Sequence, residues 1–278
     1  MQCTARRLAL PGFWKRSLDE FKRQATIGTA PYTLQQSIYV NHDTNPSTAI
    51  KMEGIHVPTK PFPIVSFSDP DAIEMCKVMS DKDIGGFSKA SLDFHSSTAT
   101  IPAHARFHGS ISTELPPDRP EVQRSGYAAW RTRDRAATLF GRSLWDLDPY
   151  SYIALRVKSD GRKYFVNIQT ESIVPTDLHQ HRLYAQKPGE WETVVININE
   201  FVRTNHGMVV EPQKDMMRQR VRSLGIGSID RMPGPFDLSI AEVYATNDAG
   251  GAKFAKTSGV DTLADEPQKK DEPEKSLI

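Results

Sequence analysis

The chain has 278 residues, 38% hydrophobic and 25% charged, which allows one large β domain with tails or two small domains. Its 35 basic and 34 acidic side chains leave a formal net charge of +1, so no long-range field gathers phosphates, and nucleic acid is not an expected partner. No apolar run approaches the roughly 20 residues that span a bilayer, so any membrane association is expected to run through a partner. Cys3 and Cys76 are the whole cysteine complement, and Asn45 is followed by Pro46, so neither a disulfide framework nor a glycosylation sequon is present.

At the N-terminus, Arg6, Arg7, Lys15, Arg16, Lys22 and Arg23 precede almost any acid. Residues 1–12 read as a mitochondrial targeting segment. Residues 13–27 read as an amphipathic helix with Trp14, Leu18, Phe21 and Ala25 on one face. Residues 28–49 are polar and aperiodic and read as a flexible insertion. At the far end, residues 248–278 include the charge run Asp265–Lys275 and read as a disordered tail.

Between these ends the dominant signal is period-two alternation. Asp69 and Pro70 predict a helix start, with Ile73, Cys76 and Val78 or Met79 facing inward. Ile153, Leu155 and Val157 alternate with polar neighbours, as do Tyr164, Val166 and Ile168. Asp160-Gly161 between these two runs predicts a type I′ hairpin. Val194, Ile196 and Ile198 form the next alternating run after Trp191. A short helix is predicted near Pro212–Arg220. Val221, Leu224 and Ile226 predict a strand with an irregularity at Ser223, and Phe236, Leu238 and Ile240 close the series. Eight to ten strands, with no long helices between them, predict a two-sheet sandwich or jelly roll over residues 50–247.

The residues offer little chemistry. Gly225-Ile226-Gly227 lacks the third glycine and the following helix of a dinucleotide fingerprint. His104 and His108 would lie ~13 Å apart on one strand face, too far to share a metal. His179-x-His181 has no evident third ligand, and Cys76 reads as a small buried thiol. Trp130, Trp145 and Trp191 are expected in the core. No catalytic residue, metal site or cofactor is expected. Gly85-Gly86 admits two readings: a partner-contact loop flanked by Asp81, Asp83 and Ser88, or a bend entering a strand.

The run Met79–Ser88 resembles the opening signature of the complex I intermediate-associated protein 30 family. Matches follow in order: Phe107-His108-Gly109, Gly126-Tyr127-Ala128 with Trp130, Asp148–Tyr152, Asp160-Gly161-Arg162, Trp191, Leu224-Gly225-Ile226 and Gly234-x-Phe236. The resemblance also takes in Phe13–Leu18 and is interrupted by residues 28–49. It implies an all-β, galactose-binding-domain-like jelly roll in the mitochondrial matrix at the inner membrane. It also implies a non-enzymatic role in holding a membrane-arm intermediate of respiratory complex I, with a larger companion intermediate-associated protein among its partners. The rival reading from another class is a carbohydrate-binding or other ligand-binding sandwich module.

Overall fold

The computed structural model describes residues 15–19, 22, 58–122, 124–139, 141–172, 174, 176–229 and 232–249. The targeting segment, the 28–49 insertion and all but the first two residues of the tail lie outside this set.

Two antiparallel sheets face each other, as the alternating runs require. The first follows the order β11 (Trp191–Asn197), β8 (Tyr152–Ser159), β15 (Gly234–Thr246), β4 (His104–Ile111), β3 (Lys89–His95). The 13 residues of β15 serve two neighbours on one side: residues 234–240 pair with β4, and residues 242–245 with β1 (Phe62–Ser66). The second sheet follows β13 (Met208–Val209), β12 (Val202–Asn205), β10 (Asp177–Leu183), β9 (Tyr164–Thr170), β14 (Val221–Ser228), β5 (Ala128–Thr132), β2 (Cys76–Ser80). A small ribbon, β6 (Ala137–Thr138) with β7 (Gly141–Arg142), stands apart.

The inner faces carry the predicted sets. Ile153, Leu155 and Val157 from one sheet, and Tyr164, Val166 and Ile168 from the other, are fully buried. Trp130 fills the middle and meets Phe67 edge-on at 5.6 Å, while Phe107 and Phe236 pack at 4.9 Å. The irregularity expected at Ser223 appears as a register shift between Val221 and Ser223. This is the all-β jelly-roll sandwich that the alternation predicted.

Four local expectations are corrected. Tyr152–Ser159 and Tyr164–Thr170 are both strands, but they belong to different sheets, so Asp160-Gly161 is a corner and not a hairpin turn. Only Gly161 takes a positive φ there (+91°). The Asp160 carboxylate holds the corner by accepting from Arg162 N, Tyr164 OH and Asp237 N at 2.9, 3.1 and 2.8 Å. Alternation reports which face of a strand is buried, not which strand it pairs with. The two-residue hairpin lies elsewhere, at His206 and Gly207 (φ 48° and 74°), between β12 and β13.

The helix begun by Pro70 is a single turn, α1 (Asp71–Glu74), without a side-chain cap. Cys76 and Val78 sit on β2, where the inward residues repeat every two positions. Near the second predicted helix, only Arg218–Arg220 forms a short 3₁₀ turn. At the N-terminus, residues 15–19 and 22 are helical, with Ser17 buried and its Oγ accepting from Leu139 N at 3.1 Å. Leu18 is 53% exposed, so the docked face includes Ser17 rather than Leu18.

The indole N–H of Trp130 is buried without an acceptor, which offsets part of what the ring contributes. Trp130→Ala should lower stability by about 3–5 kcal/mol and Trp130→Phe by no more than about 2 kcal/mol; chemical denaturation reads both.

Candidate functional site

The segment singled out by sequence, residues 81–88, carries the chain from β2 in one sheet to β3 in the other. Ser80 ends β2 and its Oγ accepts from Lys82 N, starting a 3₁₀ turn over Asp81–Ile84. Gly85 closes the turn with φ +90°, and its N–H returns to Lys82 O at 3.0 Å. Gly86 N then donates to Asp81 O at 2.8 Å. A β-carbon on Gly86 would fall 2.4 Å from Asp81 Cγ, so this position requires the absence of a side chain.

The Asp81 side chain is what the turn is built around. It is 0% exposed, and its carboxylate accepts from Ser88 N (2.9 Å), Ser88 Oγ (2.7 Å) and Gly126 N (2.7 Å). Ser88 Oγ in turn accepts from Ser112 N at 3.0 Å. One carboxylate thus holds the start of β3, the end of β4 and the approach to β5. Asp81, Gly86 and Ser88 face inward and shape the loop, whereas Asp83 and Phe87 face solvent, Phe87 at 49% exposure, and Gly85 is half-buried. The sequence brought Asp81 and Ser88 together by proximity. It gave no sign of Phe87, whose exposure depends on the direction of the loop.

The motif residues elsewhere are structural. β-Carbons on Gly109 and Gly225 would lie 2.0 Å from Lys89 O and 2.2 Å from Trp130 O, so neighbouring strands crowd both. Phe236 is buried beside Phe107. Trp130 and Trp145 are buried, and Trp191 is half-buried, edge-on to His104 at 5.2 Å. His104 and His108 both lie on β4, but His104 stacks on His95 while His108 Nε2 meets Asp93 at 2.6 Å. Among the described residues no group of three or more His, Cys, Asp or Glu is arranged to hold a metal. The Cys76 thiol is pushed up to about 12 by burial, against the pull of Arg133.

Sequence reasoning missed a polar network on the inner side of β10 and β12. Buried Asp177 accepts from Arg203 Nη2 (2.5 Å), Arg203 Nε (2.9 Å) and Asn205 Nδ2 (2.8 Å). Burial raises its carboxyl pKa, but these partners outweigh burial and hold it below the usual range. His179 and His181 point inward beside it, across from Ile168 and Val166. Burial lowers the pKa of both; Arg203 adds to the effect on His179 against Asp177, while an Arg182 backbone bond and Glu200 oppose it at His181. Buried polar residues at inward positions break the apolar alternation and give no motif, so only the fold reveals them.

The fold and this loop define a class: a β-sandwich domain whose distinctive motif builds a sheet-crossing corner with an exposed rim. The sequence pattern of the family described as Complex I intermediate-associated protein 30 matches residues 65–240. A Neurospora crassa protein named Complex I intermediate-associated protein 30, mitochondrial, is 46% identical over 268 residues, covering 90% of this chain and 89% of that one. The Mus musculus protein of the same name is 28% identical, over 63% of this chain and 52% of its own length. The chain belongs to the complex I intermediate-associated protein 30 family. Among solved structures, the family 11 carbohydrate-binding module of a Clostridium thermocellum cellulosomal cellulase aligns at 14% identity and TM-score 0.47, over 69% of this chain and 96% of that one.

Removing the Asp81 acceptors strands buried donors. Asp81→Asn should lower stability by about 2–4 kcal/mol, and Gly86→Ala by about 1–3 kcal/mol, whereas Phe87→Ser should stay within about 0.5 kcal/mol; thermal melts of the three rank them. The histidines set a pH dependence. Their folded pKa values lie below 6.5, so the unfolded chain binds more protons as pH falls through that value. Stability should therefore fall from pH 7 to pH 5, and His179→Gln should flatten the slope; denaturant midpoints across pH measure it.

Proposed function

We propose that this protein is a non-enzymatic assembly factor that holds a membrane-arm intermediate of respiratory complex I and leaves before the enzyme is complete. Family membership carries the reading: 46% identity over nine-tenths of the chain to a protein named for association with a complex I intermediate. The basic segment 1–12 supports a place in the mitochondrial matrix, at the inner membrane. Its partners are the intermediate itself and other assembly factors, a larger companion intermediate-associated protein among them. No helix of the described residues is long and apolar enough to cross a membrane, which suits a factor that reaches the membrane arm through its partners.

The contact surface includes the rim of the 81–88 loop. Asp83, Gly85 and Phe87 touch the partner there, while Asp81, Gly86 and Ser88 hold the rim in shape. A half-exposed phenylalanine on a loop fixed by a buried carboxylate offers an anchor that is ordered before binding. No bound cofactor is required by this reading.

Size-resolved mass spectrometry of mitochondrial complexes carrying a tagged copy tests it. The tagged protein should co-migrate with a complex I subcomplex and be absent from the finished enzyme. Migration at the mass of the free chain, 31.2 kDa, with complex I intact in the deletion strain, would sink the assembly reading.

A further inference from the structure

The β6–β7 ribbon belongs to neither large sheet, and the N-terminal helix is tied to it. Ser17 is buried and its Oγ accepts from Leu139 N at 3.1 Å. At helical spacing Lys15, Leu18 and Lys22 share the face turned away from Ser17, and all three are exposed. Leu139 makes the tie and Leu18 adjoins it, yet the two are 58% and 53% exposed. At the turn of the ribbon Gly141 has φ +97°, and a β-carbon there would meet nothing within 4 Å. The turn therefore stands in open solvent with apolar side chains beside it.

The patch is basic. Among the described residues of 15–22 and 135–143, Lys15, Arg16, Lys22, Arg135 and Arg142 are basic and Asp19 alone is acidic. Asp134, just ahead of the ribbon, is already engaged by Arg131 and Arg222. The net charge of +1 conceals this local excess, because acidic groups elsewhere balance it. A single exposed leucine needs no explanation. Two of them among lysines and arginines combine an apolar and an electrostatic attraction, and these add where water meets an anionic lipid layer.

We infer that this patch docks on the surface of a bilayer that carries anionic lipid. Lys15, Lys22 and Arg142 lie against the phosphates, and Leu18 and Leu139 enter the headgroup layer. The inference goes beyond the assembly-factor reading and does not rest on it. Partners select the membrane arm, and the patch adds a direct hold on the bilayer beside it. A bilayer accepts a protruding turn without a matching shape, whereas a protein partner needs an acidic socket fitted to it. The hold is peripheral, since no helix of the described residues is long and apolar enough to cross a membrane.

Sedimentation of the purified full-length protein with vesicles tests the inference. The vesicles are roughly three parts phosphatidylcholine to one part phosphatidylglycerol, compared with phosphatidylcholine alone. The wild-type protein should bind the anionic vesicles and not the neutral ones. Lys15→Gln and Arg142→Gln should each weaken binding about fivefold, and Leu139→Ser about tenfold. Melting temperatures should stay within about 2 °C of wild type. Segment 1–12 is also basic but is the same in every variant. Wild-type binding by all three variants would assign the attraction to that segment and overturn the patch. Equal binding to neutral vesicles, or binding to neither, would overturn the anionic-lipid assignment while leaving the assembly reading intact. Unchanged vesicle binding by Arg142→Gln, with loss of co-isolated complex I intermediate from mitochondria, would overturn it in favour of an acidic protein.

Discussion

A single buried carboxylate, that of Asp81, joins segments that belong to different sheets. Its three hydrogen bonds reach Ser88 at the head of β3 and Gly126 ahead of β5, and through the Ser88 hydroxyl they extend to Ser112 beyond β4. A sandwich must pass its chain from one sheet to the other several times, and each passage leaves backbone donors without ladder partners. At this corner the carboxylate supplies the acceptors. Asp160 repeats the device where β8 hands over to β9, again with three donors on one side chain. Aspartate suits both places because its two oxygens offer about four acceptor sites at the end of a short stem.

This constraint explains why the glycines of the 81–88 segment look like a binding motif and act first as scaffolding. Gly86 is bare because Asp81 fills the space, and Gly85 turns because the chain has to re-enter a strand at Ser88. The same packing leaves Phe87 pointing outward between two buried neighbours. An exposed ring on a rigid loop loses little conformational freedom on binding, a property that separates an anchor from a flexible tail. Buried and exposed residues therefore alternate from Gly86 to Ser88 within this eight-residue segment.

The sandwich was legible because each strand has one face in the core, so apolar residues recur every second position. Ile153, Leu155 and Val157, and the break at Ser223, could be read in this way. Pairing was not legible: nothing in the alternation of Tyr152–Ser159 says whether its neighbour is the next strand or β15, 75 residues later in the chain at its first residue, Gly234. The α1 turn was over-read because Ile73 and Cys76 fit a helical spacing, while Cys76 and Ser80 fit a strand equally well. Of the site, Asp81 and Ser88 were legible as a motif but not as buried groups. The Asp177–Arg203 pair was invisible because its partners are 26 residues apart and neither belongs to a pattern.

The two sheets also differ in what they present outward. The six-stranded sheet carries polar side chains already matched across strands, with Arg106 meeting Asp237 at 2.6 Å and His108 meeting Asp93 at the same distance. Such pairs satisfy one another in water and contribute little to recognising a partner. The seven-stranded sheet carries an amide row as well, Gln180 Nε2 donating to Asn167 Oδ1 at 2.8 Å, beside Arg131 paired with Asp134 at 3.1 Å. Its exposed apolar area lies at one edge, where Val202, Met208 and Val209 of β12 and β13 are 40%, 57% and 60% exposed, so the short edge hairpin and not the middle of the sheet leaves apolar surface in water.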